Sequence, residues 1–171
     1  IFDKYDDNGD YIVNGVDMTT KASVDVSEAK NGSIRAYFDE SNPDSYDIYV
    51  LSKFEIVANK DCSYLLAYYD GLRKVEFKNF NTENTTNMRW MFRECFELAT
   101  LDLSSFETTK VTTMRNMFYR CSSLISLDLS NFATTNVTDM TGMFAYCKKL
   151  GDLQLPNFDV TNVEEMNFMF Y

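Results

Sequence analysis

Residues 98–123 read LATLDLSSFETTKVTTMRNMFYRCSS, and residues 124–149 repeat nearly the same text as LISLDLSNFATTNVTDMTGMFAYCKK. The step of 26 extends to both sides of this pair. Leu72, Leu98, Leu124 and Leu150 keep it, as do Phe80, Phe106, Phe132 and Phe158, Met88, Met114, Met140 and Met166, and Cys95, Cys121 and Cys147. A fixed period of this length marks a solenoid, in which one repeat is one turn that buries its apolar face only against its neighbours. The repeats are read as 72–97, 98–123, 124–149 and an incomplete 150–171.

Within each repeat two shorter periods alternate. Leu101 and Leu103 flank an outward Asp102, the pattern of a short strand. Met114, Met117, Phe118 and Cys121 follow at i, i+3, i+4 and i+7, which predicts a short helix with all four on its buried face. Thr112 and Thr138, with Glu164 in the last copy, stand where such helices would be capped. The sequence therefore predicts an α/β solenoid with a short parallel sheet on one face and short helices on the other.

Counting back from the first full repeat places Tyr46 under Leu72, Tyr49 under Val75, Leu51 under Phe77 and Phe54 under Phe80. Residues 46–71 are read as a degenerate first coil. Residues 1–45 carry no copy and form a small β-rich region or cap: Asp7-Asn8-Gly9-Asp10 and Asn31-Gly32 are turn signals, and 22–26 and 33–38 alternate like strands. A calcium loop at Asp6, Asn8 and Gly9 fails, because Lys4 would take the first ligand position and Gly15 that of the bidentate glutamate.

Composition limits the function. With 45% hydrophobic and 15% aromatic residues among 171, the chain has enough core to fold. Net charge is −10, concentrated in residues 1–71, where 14 acids face 6 bases, against 12 and 10 in 72–171. That balance repels a phosphate backbone, so nucleic acid is a poor partner. The chain has no histidine, which removes Ser-His and Cys-His nucleophiles and His-ligated zinc. No apolar run of about 20 residues predicts a transmembrane helix. The chain starts at Ile1 and stops inside a repeat, and is read as a piece of a longer protein.

The text LDLSNFATTNVTDMTGMF resembles the repeat of the BspA-like leucine-rich repeat proteins, a bacterial surface family that also includes mycoplasma lipoproteins. The resemblance covers about 46–171. It implies a leucine-rich-repeat solenoid displayed at the cell surface or secreted, in some members for adhesion to host proteins or other bacteria. It implies neither catalytic residues nor a cofactor.

Among candidate sites, the column Glu76, Asp102, Asp128 and Gln154 comes first. In stacked strands these side chains stand about 4.8 Å apart on the exposed face, where unpaired carboxylates raise one another's pKa. Lys74 and Lys78 flank Glu76, and serines flank the two aspartates. The column reads as a solvated face, a ligand-contacting strip or a cation site. Trp90 lies off the apolar stripe, as a contact anchor or as packing against the N-terminal region. Cys95, Cys121 and Cys147 read as small buried hydrophobes, without the spacing of a metal site, and Cys62 falls in the methionine column. Thr108-Thr109, Thr134-Thr135 and Thr161 read as turn-satisfying hydroxyls or as a carbohydrate-facing row. Sequons at Asn31, Asn84 and Asn136 matter only in a glycosylating source.

The reading that joins these features is a non-enzymatic surface or secreted module that binds a protein or glycan. A structural spacer or assembly subunit, making end-to-end contact with further repeats, is the alternative.

Overall fold

The structure, a computed structural model, describes the backbone of the N-terminal strands, the side chains of Asp47 and Ile48, and residues 56–171 throughout. Strands β1 (Phe2–Tyr5), β2 (Tyr11–Val13) and β3 (Val16–Asp17) form an antiparallel sheet. A second sheet has the order β4 (Ala22–Asp25), β5 (Arg35–Asn42), β6 (Ser45–Leu51), β8 (Leu72–Phe77). Its first pairings are antiparallel, and β6 pairs with β8 in parallel. Two parallel pairs complete the set: β7 (Ile56–Val57) with β9 (Phe80–Asn81), and β10 (Ser126–Asp128) with β11 (Asp152–Gln154). The turns at Asp7–Asp10 and Asn31-Gly32, the calcium-loop positions, the Asn31 sequon and Phe54 lie outside the described residues.

From residue 56 onward the 26-residue segments lie side by side. One column of parallel bridges runs Asp61, Asn87, Thr113, Asp139, Glu165, one residue per segment. The matching side chains stack inward: Leu98, Leu124, Met88, Met114, Met140, Cys95, Cys121 and Phe132 are fully buried. Phe92, Phe118, Phe144 and Phe170 form a pile of rings 5.6, 5.6 and 5.5 Å apart and nearly parallel. Each fully buried side chain of this size contributes about 1.5–3 kcal/mol.

Three expectations are corrected. First, no helix is present among the described residues. The Met-x-x-Met-Phe-x-x-Cys segment is a run of overlapping turns: Met117 N bonds Met114 O at 3.1 Å, Tyr119 N bonds Asn116 O at 3.1 Å, and Cys121 N bonds Phe118 O at 3.0 Å. The alternate N–H groups reach the next segment instead, from Met114 to Asp139 O, Asn116 to Thr141 O, Phe118 to Met143 O and Arg120 to Ala145 O, at 2.8–3.0 Å. A helix would have spent those donors on its own carbonyls; here they tie segment to segment.

This geometry needs left-handed backbone. Two residues per segment supply it: Trp90 and Glu94, Asn116 and Arg120, Gly142 and Tyr146 all have φ between 52° and 61°. A non-glycine residue pays for that conformation, and the inter-segment bonds offset the cost. None of these positions carries a β-branched residue. Asp61, Asn87 and Asp139 open each turn run by accepting the N–H two residues on. Thr112 and Thr138 cap nothing; their hydroxyls donate to Thr86 O and Thr112 O of the preceding segment.

Second, Leu101–Leu103 is not a strand, so the sheet is interrupted between β8 and β10. The backbone bonds Ala99 N–Arg73 O and Ile125 N–Ala99 O lead up to the gap. Phe77 stands in the column of Leu103 and Leu129, and its ring packs against Phe80, Phe92 and Phe106. Third, the register of 46–71 is not a uniform 26. Tyr46 pairs with Leu72, but Tyr49 pairs with Glu76 past an irregularity, and Phe80 pairs with Ile56, 24 residues before it.

Candidate functional site

The interruption of the sheet leaves a depression of about 630 Å³. Lys74, Glu76, Asp102 and Asp128 line it, together with Thr100, Ser104 and Ser126. Asp102 and Asp128 are exposed and Lys74 and Glu76 half-buried, while Val75, Leu103 and Leu127 between them are buried. Lys74 Nζ is ion-paired with Glu76 Oε1.

The two aspartates behave differently from unpaired neighbours on a ladder. Asp102 Oδ1 accepts the Ser104 N–H at 2.9 Å, and Asp128 Oδ1 accepts the Ser130 N–H at 2.8 Å. Hydrogen bonds from the side chain and backbone of Ser104 hold the Asp102 carboxyl below its usual range, and Ser130 does the same for Asp128. The mutual upward shift expected from the sequence is therefore reversed. Each carboxylate closes its own strand-ending turn, and stays charged where it faces the depression.

Gln154 is paired in register with Asp128, but its Nε2 turns to Asp152 Oδ1 at 2.7 Å, and it does not line the depression. Trp90 sits apart, in the turn run. Tyr64 of the first segment stacks on its ring at 4.6 Å and the Arg89 guanidinium lies 4.1 Å from the ring centre. Its indole N–H is buried without a partner among the described residues. Trp90 is half-buried and packs against Tyr64 and Arg89.

Two further columns prove to be internal fasteners. Thr82, Thr108 and Thr134 are buried, and each hydroxyl donates to one carbonyl of the next segment while accepting the N–H of the same residue: Glu107, Ala133 and Asp159 respectively, at 2.7–3.0 Å. Thr108 and Thr134 thus leave the carbohydrate-facing row, whereas Thr109, Thr135 and Thr161 are exposed. Cys95, Cys121 and Cys147 donate their thiols to Leu66 O, Phe92 O and Phe118 O at 3.0–3.1 Å. Burial pushes the Cys95 and Cys147 thiols up to about 12, and Cys121 well above its ordinary value. Cys62 is buried at the head of the methionine column, near Thr85. Among the described residues no group of three or more His, Cys, Asp or Glu side chains could hold a metal ion.

Residues 51–171 match a protein-family model described as Mycoplasma protein of unknown function, DUF285. The chain belongs to the DUF285 family. No curated protein and no solved structure matches it. The DUF285 match takes in most of the irregular first coil as well as the repeats, and stops short of β1–β5.

The outer side of the turn run in this DUF285 chain carries a second group of side chains that sequence reasoning missed. Arg93 lies 5.5 Å from the Tyr68 ring and 5.1 Å from Tyr119; Arg120 lies 5.4 Å from both Tyr119 and Tyr146. Tyr119, Tyr146 and Tyr171 follow edge to face at 5.4 and 5.1 Å. Several of these partners are 25 or 27 residues apart rather than 26, so the ladder zigzags between columns. The contacts Arg93–Tyr119 and Arg120–Tyr146 do keep the step of 26, but the residue type changes from arginine to tyrosine along it.

Proposed function

We propose that this chain is a non-enzymatic binding module of the BspA-like leucine-rich-repeat kind, a solenoid borne at the cell surface or secreted, which recognises a glycan or protein through its exposed sheet side. The single observation that carries the reading is the gathering of Lys74, Glu76, Asp102 and Asp128 around one depression. Its lining is rich in carboxylates and hydroxyls, with apolar contact from Phe77 and Leu101. Such a surface repels phosphate and suits a neutral or amino-bearing hydroxylated ligand, which offers donors to carboxylates already held in place. Its breadth and openness favour contact with an extended partner over enclosure of a small substrate.

The test is a glycan array followed by titration calorimetry on the best neutral or amino sugar. Asp102→Asn and Asp128→Asn keep an oxygen to accept the turn bonds, and together should weaken binding about tenfold or more at only a small cost in the unfolding midpoint. Absence of binding to every glycan and to surface-protein extracts, or binding indifferent to both substitutions, would sink the reading.

The alternative is an assembly subunit. Bonds such as Phe118 N to Met143 O tie segment to segment through backbone alone, a mode of contact that one repeat unit could offer another. Concentration-dependent association in sedimentation velocity would favour it.

A further inference from the structure

Four of the six arginines, Arg89, Arg93, Arg115 and Arg120, lie in the turn runs of a protein whose net charge is −10. Two of them are built into the ladder Tyr68, Arg93, Tyr119, Arg120, Tyr146, Tyr171, which shares no residue with the acidic depression. Their charge is only half compensated. Arg93 holds Glu94 Oε1 through Nε and Nη2 at 3.2 and 3.0 Å, whereas Arg120 stands 4.0 Å from the same oxygen, outside hydrogen-bond reach. Among the described residues no hydrogen bond engages the Arg120 guanidinium. By contrast Arg115 has its own carboxylate, Asp139, at 3.6 Å. The strip therefore keeps a surplus positive charge, held by rings that have already removed much of the side chain's rotamer freedom.

We infer that this tyrosine–arginine ladder is a docking surface for an extended acidic segment of a partner protein. Tyrosine and arginine are the residues that dominate protein–protein hot spots, and a planar guanidinium fits a carboxylate in a fixed orientation. Tyr68 and Tyr171 at the two ends are exposed, and Tyr119 and Tyr146 between them are half-buried, so the strip is open along its length. Five segments at about 4.8 Å each give a strip of roughly 20 Å, the length of about six extended residues. The ring faces nearest the guanidiniums are already occupied, which favours carboxylate recognition over stacking of sugars. The inference stands apart from the proposed sheet-side function and uses none of its residues.

The experiment measures fluorescence anisotropy of a labelled twelve-residue oligoglutamate with the intact chain at low salt. Oligolysine, and heparin as a polyanionic glycan, serve as competing probes. Oligoglutamate should bind despite the protein's acidity and weaken as salt rises, and Arg93→Gln with Arg120→Gln should reduce affinity about tenfold or more. Glu94→Gln, which removes the competing carboxylate, should tighten binding several-fold, a gain that no loss of folding could imitate. Lys110→Gln, whose ammonium donates to Asn84 Oδ1 rather than to a ladder residue, should change nothing. No binding of oligoglutamate, binding unaltered by the arginine pair, weaker binding in Glu94→Gln, or binding of heparin alone would each overturn the assignment.

Discussion

Thr108→Val removes one hydroxyl and should cost more than its exposure on paper suggests. Thr108 Oγ1 donates to Ala133 O at 3.0 Å and accepts Ala133 N–H at 2.9 Å, so one side chain satisfies both backbone groups of a residue in the next segment. The site is fully buried at Thr108 and half-buried at Ala133, so valine fills the space but leaves a donor and an acceptor orphaned with limited access to water. At about 1–3 kcal/mol per orphaned group, and taking the low end for a half-buried pair, the loss is about 2–3 kcal/mol. The added methyl returns less than about 0.8 kcal/mol, leaving a net destabilisation of about 2 kcal/mol. With a slope of about 2 kcal/mol per molar urea, the unfolding midpoint should fall by about 1 M. Thr108→Ser keeps both bonds and loses only a methyl, so it should fall less than half as far. Hydrogen exchange should locate the damage, with the Ala133 amide losing protection first. A valine variant that unfolds where the wild type does, or a serine variant as damaged as the valine one, would refute the fastener reasoning.

Leu127→Asp places a charge at a buried site in β10, beside its partner Leu153, and should cost several kcal/mol, read as loss of most of the urea midpoint and of segment protection on both sides. Gly142→Ala puts a Cβ at φ 60° and 2.2 Å from Asn116 Oδ1, so a loss of about 1–2 kcal/mol is expected, and pairing it with Asn116→Gly should recover part of it. Acid should unfold the repeats through the turn aspartates: Asp102, Asp128 and Asp159 have folded pKa values below the unfolded one, so their contribution is complete above about pH 5 and is lost as pH falls through the folded values. Replacing all three with asparagine should flatten the acid limb of a thermal-melt series. Native protein at pH 8 should react slowly with a thiol reagent at Cys95, Cys121 and Cys147, and denatured protein promptly at all four cysteines.

The step of 26 was legible because several interior columns are held by one residue type through the repeats: a pile of phenylalanines or methionines keeps its register only if the chain returns after the same count. What lay between the columns was not legible for a definite reason. Met-x-x-Met-Phe-x-x-Cys turns four side chains inward whether the backbone is helical or a run of turns, since both place i, i+3, i+4 and i+7 on one side. The choice is made by where the N–H groups go, and backbone donors leave no mark in the sequence. The trace available was Gly142, and Asn116 one step before it, in the left-handed column; the tryptophan, tyrosine and phenylalanine elsewhere in that column hid it.

The same distinction governs the candidate surfaces. Glu76, Asp102 and Asp128 were found because period-2 alternation and the period of 26 act together on the sheet side, putting like residues above like. On the turn side, backbone bonds pair residue i with i+25 while equivalent residues sit at i+26, so side chains meet both along a column, as Arg93 with Tyr119, and diagonally across columns, as Arg93 with Tyr68. A surface assembled from such diagonals can change composition from segment to segment without disturbing the stack. In a repeat whose interior is nearly invariant from copy to copy, that freedom makes the turn side a place where recognition can vary while the fold is kept.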